Sequence, residues 1–294
     1  MFFLHRSKGN VARQQNLAQE GASAKVVRKV PQITTLWRTA VGNRDYQQDA
    51  VYVTPSKIVA SNKKTRVLAL VCDGMGGMAD GGRASTTAVQ MMVQGFQEVE
   101  KNPQLNIPIF FENEIRAIDR VIYNFPRENG RGSGTTMVAC IVEDNKLYCA
   151  SVGDSRIYMV RNHQMRQMTR DHNYGMRLEA MAAAGQITEQ EAKTHRKKEA
   201  LISFLGMGNV SLMDINYKPI PLQYGDMVML CSDGITKTLE DSQIIEIILA
   251  DEVRPEQKAE ALVSAATHGN TYSQDNTSVV LIHFEEVDIK KQYR

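Results

Sequence analysis

An α+β fold, with antiparallel sheets covered by helices, is what the order of patterns along these 294 residues predicts. Short apolar runs come as hairpins rather than alternating one by one with helices, which argues against a parallel α/β sheet. Amphipathic stretches with a period of three and four flank them, and a chain of this length buries one large core without needing a second domain.

The first alternating stretch, residues 34–41, is a strand that ends at Gly42-Asn43, and 50–53 is a second that stops before Pro55. Residues 67–71 are apolar without interruption, as in a strand buried on both faces. After a glycine-rich turn, Ala84, Ala88, Met91, Met92, Phe96 and Val99 form the apolar stripe of a helix. A second helix carries Phe110, Ile115, Ile118, Val121 and Ile122 and ends before Pro126. The period then changes to two. Strands at 136–142, 146–152, 156–161 and 164–168, joined at Asp144-Asn145, Gly153-Asp154 and Asn162-His163, read as an antiparallel meander. Residues 174–196 favour helix, broken at Gly185 and restarted at Thr188-Glu189-Gln190-Glu191. Strands at 215–218 and 227–231, helices near 241–249 and 255–267, and a last strand at 277–284 complete the pattern.

Composition excludes several classes. Hydrophobic content of 43%, charged content of 23% and a formal net charge of +2 are ordinary for a soluble globular chain. No basic stripe interleaved with aromatics marks a nucleic-acid protein, and no apolar run approaches the roughly 18 residues needed to span a bilayer. Cys72, Cys140, Cys149 and Cys231 form no CxxC pair and sit in apolar segments, so they are expected to be small buried residues in a reducing cytoplasm. Most of the 15 methionines are likewise expected to serve packing, as at Met91, Met92, Met227 and Met229. The segment up to residue 32 is basic and polar and reads as a flexible arm. No heptad or exposed apolar stripe signals an oligomer, so a monomer is expected.

The chemistry is written in three apolar runs that each meet an aspartate: Val71-Cys72-Asp73-Gly74, Leu230-Cys231-Ser232-Asp233-Gly234, and Asp275-Asn276 leading into 277–282. A strand running into Asp-Gly delivers a carboxylate to a sheet edge and then turns sharply. Several such tips at one edge repel one another unless a cation neutralises them, and hard oxygen ligands suit Mg²⁺ or Mn²⁺. A metal-dependent hydrolytic centre follows.

Taken in order, the segments resemble the protein phosphatase 2C type of metal-dependent phosphatase, in its bacterial branch. The matching residues are Gly42-Asn43-Arg44-Asp45 through Asp49-Ala50; Asp73-Gly74-Met75-Gly76-Gly77; Gly132-Ser133-Gly134-Thr135-Thr136; Gly153-Asp154-Ser155-Arg156; Thr169-Arg170-Asp171-His172; Ser232-Asp233-Gly234; and Asp275-Asn276-Thr277. The resemblance implies a four-layer αββα sandwich over 33–286, with a flap at about 172–206 and a short tail at 287–294. It also implies hydrolysis of phosphoserine and phosphothreonine by a metal-bridged water, with two Mn²⁺ or Mg²⁺ ions in the core site and a third, weaker one beside them. By this likeness Asp73 bridges both metals, Asp233 and Asp275 complete the first, and the Gly74 carbonyl helps hold the second. Asp49 orients metal-bound water, Asp154 joins Asp233 at the third metal, and Arg44 grips the phosphate through paired hydrogen bonds.

Two departures stand out. Gln48 occupies the place of a glutamate that many members add to the second metal shell, and Met75 that of a histidine proposed as general acid in eukaryotic members. A thioether cannot donate a proton, so the leaving group would take one from water or another group. His172 is expected to cap a helix or make a hydrogen bond rather than to donate a proton. Phosphoproteins, among them a serine/threonine kinase or its targets, are the implied partners, and His195-Arg196-Lys197-Lys198 could attract an acidic phosphopeptide. The rival reading is a silent phosphatase fold that only binds a phosphoprotein; another is a hydrolase of small phosphoesters.

Overall fold

The structure is a computed structural model that describes residues 27–75, 80–126, 132–269 and 274–290. The first half runs β1 (Val27–Ala40), β2 (Asp49–Val53), β3 (Lys57–Ile58), β4 (Arg66–Met75), α1 (Asp80–Val99) and α2 (Ile107–Tyr123). Then come β5 (Gly134–Thr135), β6 (Met137–Glu143), β7 (Lys146–Val152), β8 (Arg156–Arg161), β9 (Gln164–Gln167), α3 (Tyr174–Ala183) and α4 (Glu189–Thr194). The remainder is β10 (Asp214–Ile215), β11 (Ile220–Pro221), β12 (Asp226–Cys231), α5 (Asp233–Thr236), α6 (Asp241–Leu249), α7 (Lys258–Gly269) and β13 (Thr277–Lys290).

The strands form two antiparallel sheets. One is ordered β3-β1-β13-β12-β8-β9; the other is β10-β7-β6-β4-β2, with β11 beside β7 and β5 beside β4. Strand parity shows how four layers arise. In β4, Leu68, Leu70 and Cys72 face α1 and α2, packing with Met92, Phe96, Phe111 and Ile115. The alternate residues Val67, Ala69 and Val71 face the other sheet, against Ile157, Val228, Leu230, Val280 and Ile282. The outer face of that sheet presents Tyr158, Met229, Cys231, Val279 and Leu281 to Ile244, Ile248, Leu262 and Ala266 of α6 and α7. Period-two strands carrying apolar residues on both faces thus give helix, sheet, sheet, helix, the αββα sandwich. All four cysteines are free and buried in these layers, and Met92, Met227 and Met229 are core residues.

Three local expectations differ from the structure. The meander is divided: β7 pairs with β6, but β8 crosses at Gly153-Asp154 to pair with β12 in the opposite sheet. The strand expected at 215–218 shortens to β10, because Asn216 Oδ1 takes the Cys149 N–H in place of a backbone carbonyl, and Asn216 Nδ2 donates to the carbonyl of Lys218. The folded unit also outruns 33–286. β1 and β13 pair from Ala40↔Thr277 to Val27↔Lys290, with Lys29 bridging to Glu286 at 3.2 Å. Opposite charges stand across this outer ladder, Lys29 facing Asp288, which supports pairing where hydrophobic alternation is weak. Residues 1–26 of the expected arm and 291–294 of the expected tail lie outside the described residues. Among the described residues no helix is long and apolar enough to cross a membrane.

Candidate metal centre

The register of the strands brings the aspartates together. Asp49 at the start of β2 stands directly opposite Asp73 in β4. Neighbouring β12 and β13 of the facing sheet place Asp233 just after one strand and Asp275 just before the other. Asp154 sits on the turn that crosses between the sheets. Arg44, Asp73, Asp154, Asp233, Asp275 and Lys237, among others, line one cleft of about 480 Å³, with Gln48, Gly74 and Met75 also on its wall. Asp49 is 7% exposed and pairs with Asp73 at its back. A larger cleft of about 800 Å³ lies against α3 and α4, and none of these five aspartates lines it.

Backbone and hydroxyl groups hold the carboxylates in place. The Ser232 hydroxyl donates to Asp49 Oδ2 at 2.7 Å and accepts the Ser278 N–H at 3.0 Å. Asp49 Oδ1 and Asp233 Oδ1 are buried and have no hydrogen-bond partner among the described residues. Asp73 is gripped through its main chain: its N–H donates to Thr136 Oγ1 at 3.0 Å, and its carbonyl accepts from the Thr136 N–H and the Thr135 hydroxyl, each at 2.9 Å. Gly74 permits a close backbone crossing, since a Cβ there would lie 2.2 Å from the Gly81 carbonyl oxygen and 2.5 Å from that of Gln48. Asn276 ties in the Arg44 loop: its Oδ1 accepts the Gln48 N–H at 2.7 Å, while its Nδ2 donates to the carbonyls of Val41 and Tyr46 at 2.7 and 3.0 Å.

Charge is concentrated beyond what burial alone tolerates. Burial pushes Asp49 up to about 7, with Asp233 and Asp275 adding repulsion and serine hydroxyls opposing it. Asp73 is raised well above the usual carboxylate range, first by burial and then by Asp49, Asp233, Asp154 and Asp275. Asp154 also reaches about 7, through burial and the repulsion of Asp233. Two cations partly answer this charge. Arg44 Nη2 lies 2.7 Å from Asp275 Oδ2, and Lys237 Nζ contacts Asp233 Oδ2. Burial weakens the hold of Lys237 on its proton, but Asp233, Asp154 and Asp73 more than offset this and leave its pKa above the usual lysine value. With two carboxylates drawn toward basic side chains, no three His, Cys, Asp or Glu among the described residues form a ready-made metal cage.

Every residue expected at the site is therefore near it, whereas His172 is not on the cleft wall. It is fully buried, accepting the Gly153 N–H on Nδ1 at 3.2 Å, with Nε2 3.3 Å from Asp214. The helix cap is its neighbour Asn173, whose Oδ1 accepts the Met176 N–H. The basic run lies aside: His195, Arg196 and Lys197 line another pocket, while Glu199, Leu201 and Phe204 from the same segment reach the aspartate cleft. Ser232, Thr135, Thr136 and Asn276 were visible only as parts of motifs, and Lys237 was missed; its spacing of four from Asp233 was the available signal.

The donor set can be compared with known proteins. The family model described as "Protein phosphatase 2C" matches residues 39–267. "Serine/threonine phosphatase stp" of Listeria monocytogenes is 31% identical over 229 residues, 76% of this chain and 87% of that one. "Protein phosphatase PhpP" of Streptococcus pneumoniae is 28% identical over 257 residues, 87% of this chain and 97% of that one. Among solved structures, the serine/threonine phosphatase of S. agalactiae superimposes with a TM-score of 0.72 at 26% identity, covering 85% of this chain and 99% of its own. The catalytic domain of the phosphatase PstP in complex with two manganese ions gives 0.67 at 25% identity, over 87% of this chain and 99% of its own. Since the family model spans the sandwich from the end of β1 into α7 and includes four of the five clustered aspartates, the chain belongs to the protein phosphatase 2C family.

Proposed function

We propose that the protein is a metal-dependent serine/threonine protein phosphatase that uses Mn²⁺ or Mg²⁺, two ions in its core site. The observation that carries the reading is the pair of buried carboxylate oxygens, Asp49 Oδ1 and Asp233 Oδ1, that have no hydrogen-bond partner among the described residues and lie among carboxylates that repel one another. An orphaned buried anionic oxygen is costly unless a cation meets it. Hard oxygen donors without thiolate or imidazole fit Mg²⁺ or Mn²⁺, so the residues present suit the group the family requires. Asp73 would touch both ions, Asp233 and Asp275 the first, and the Gly74 carbonyl the second, with Asp154 beside Asp233. Bound divalent cations supply a water nucleophile at neutral pH and offset the charge of the phosphate.

The protein's own groups do the rest. Arg44, half-exposed at the cleft mouth, exchanges Asp275 for a substrate phosphate and orients it with two parallel hydrogen bonds. Asp49, fixed through Ser232, accepts hydrogen bonds from water in the cleft and sets its direction of attack. Met75 lines the cleft without a transferable proton, and His172 is buried with its pKa lowered, chiefly by burial, so neither protonates the leaving alkoxide. Water fills that role. The open cleft admits a side chain on a flexible segment, and phosphoproteins, including a kinase or its targets, are the substrates. Free buried cysteines fit a cytoplasmic location.

The test is phosphate release from a phosphothreonine peptide with Mn²⁺, with Mn²⁺ plus excess EDTA, and with the Asp233→Asn variant. Turnover that disappears in both controls supports the reading. Tight peptide binding without turnover would refute catalysis and leave a binding module.

A further inference from the structure

Asp233 opens α5 at the end of β12, and Lys237 follows one turn later, so the helical spacing sets an ammonium over that carboxylate. The two oxygens of Asp233 are thereby divided. Oδ1 is buried and has no hydrogen-bond partner among the described residues, while Oδ2 receives Lys237 Nζ. The Lys237 side chain is 50% exposed, so it reaches the acidic wall of the cleft from solvent rather than from the core. It lines the same cleft as Asp154 and Asp73, and its charge acts on both.

In the phosphatase reading, Asp154 and Asp233 are the pair that would share a third, weaker cation. That position is already taken on the Asp233 side. A divalent ion seated between Asp154 and Asp233 would have to displace the ammonium or lie within a few Å of it, where two positive charges repel strongly. We propose that Lys237 is the resident cation of the Asp154–Asp233 side, standing in for the third metal ion and leaving this enzyme with two. Its charge is permanent and needs no metal from solution. Five carboxylates, two basic side chains and two divalent ions leave a slight excess of positive charge, which already suits a phosphate dianion.

The inference rests on the phosphatase reading, and metal counting separates the two. Manganese stoichiometry is measured from the free Mn²⁺ signal in electron paramagnetic resonance titrations, with thermal melts as a check on folding. Wild type and Lys237→Arg are expected to bind two ions. Lys237→Met keeps the aliphatic stem but not the charge, and is expected to bind a third ion within the Mn²⁺ range, extended about tenfold past saturation of the first two, over which wild type stays at two. The double variant Lys237→Met with Asp154→Asn should return to two. Three ions on the wild type, or no third ion on Lys237→Met, would overturn the role of Lys237 while leaving the phosphatase reading intact. A wild type that binds no Mn²⁺ would overturn both.

Discussion

Replacing Asp119 with alanine tests how a residue remote from the cleft holds it together. Asp119 lies on α2, is 1% exposed, and accepts three backbone N–H groups of the segment that leaves the expected flap. Gly206 and Gly208 donate to Oδ1 at 2.8 and 3.1 Å, and Val210 to Oδ2 at 3.0 Å. Each buried N–H left without an acceptor costs about 1–3 kcal/mol, and water entering the gap recovers part of it. A total of about 3–5 kcal/mol follows, which lowers Tm by about 10 °C for a chain of this class. Asparagine keeps one oxygen and so should cost about 1–2 kcal/mol. The damage should also reach the metal site, because adjacent Leu205 exchanges hydrogen bonds of 3.0 and 2.9 Å with Thr135, whose hydroxyl holds the Asp73 carbonyl. Thermal melts followed by circular dichroism and Mn²⁺ titration are the assays. An alanine variant melting within about 1 °C of wild type, with unchanged Mn²⁺ affinity, would refute the argument.

Three further outcomes are expected. Arg66→Met leaves Glu143, whose Oε2 lies 2.6 Å from Arg66 Nη2 in a nearly buried pair, with Lys64 as its remaining cation and frees the carbonyls of Glu100 and Asn102, so a loss of about 2–4 kcal/mol is expected in urea unfolding; the double methionine variant should recover only part of it, because those carbonyls stay without the guanidinium. Gly234→Ala sets a Cβ 2.1 Å from the Asn276 carbonyl oxygen, so the tips carrying Asp233 and Asp275 must part; a loss of about 3 kcal/mol together with weaker Mn²⁺ binding is expected in melts and titration. Without metal, Asp49 and Asp154 each have a folded pKa near 7 against an ordinary 3.8, so the folded state binds more protons than the unfolded state between those values. Stability of the metal-free protein therefore falls as pH rises from about 4 to about 7, and saturating Mn²⁺ should reverse that slope; melts across this range with EDTA and with Mn²⁺ check the sign.

Much of this architecture was legible because apolar parity on a strand states which residues share a face. The unbroken apolar run 67–71 predicts burial on both sides, and its alternation divides the residues between helices and the facing sheet. Parity does not name the neighbouring strand, so nothing in 146–161 announced that β7 and β8 belong to different sheets. Charge hid the outer half of the β1–β13 ladder, where Lys29 stands opposite Asp288 in place of an apolar pair. At the site, Asp73, Asp233 and Asp275 stood out because each ends or begins an apolar run. Lys237 did not, because Asp233-Gly234 reads as a turn; only the one-turn helix α5 makes a spacing of four meaningful.

The central claim is that Asp73, Asp233 and Asp275, with the Gly74 carbonyl and Asp49 behind them, hold a pair of divalent cations. Anomalous diffraction from crystals of the Mn²⁺-loaded protein addresses it most directly. Two manganese peaks in the cleft bounded by these residues, with at least one lost in Asp73→Asn crystals, is the predicted result. Well-ordered crystals from saturating Mn²⁺ with no peak there, or with manganese held only at other residues, would contradict it.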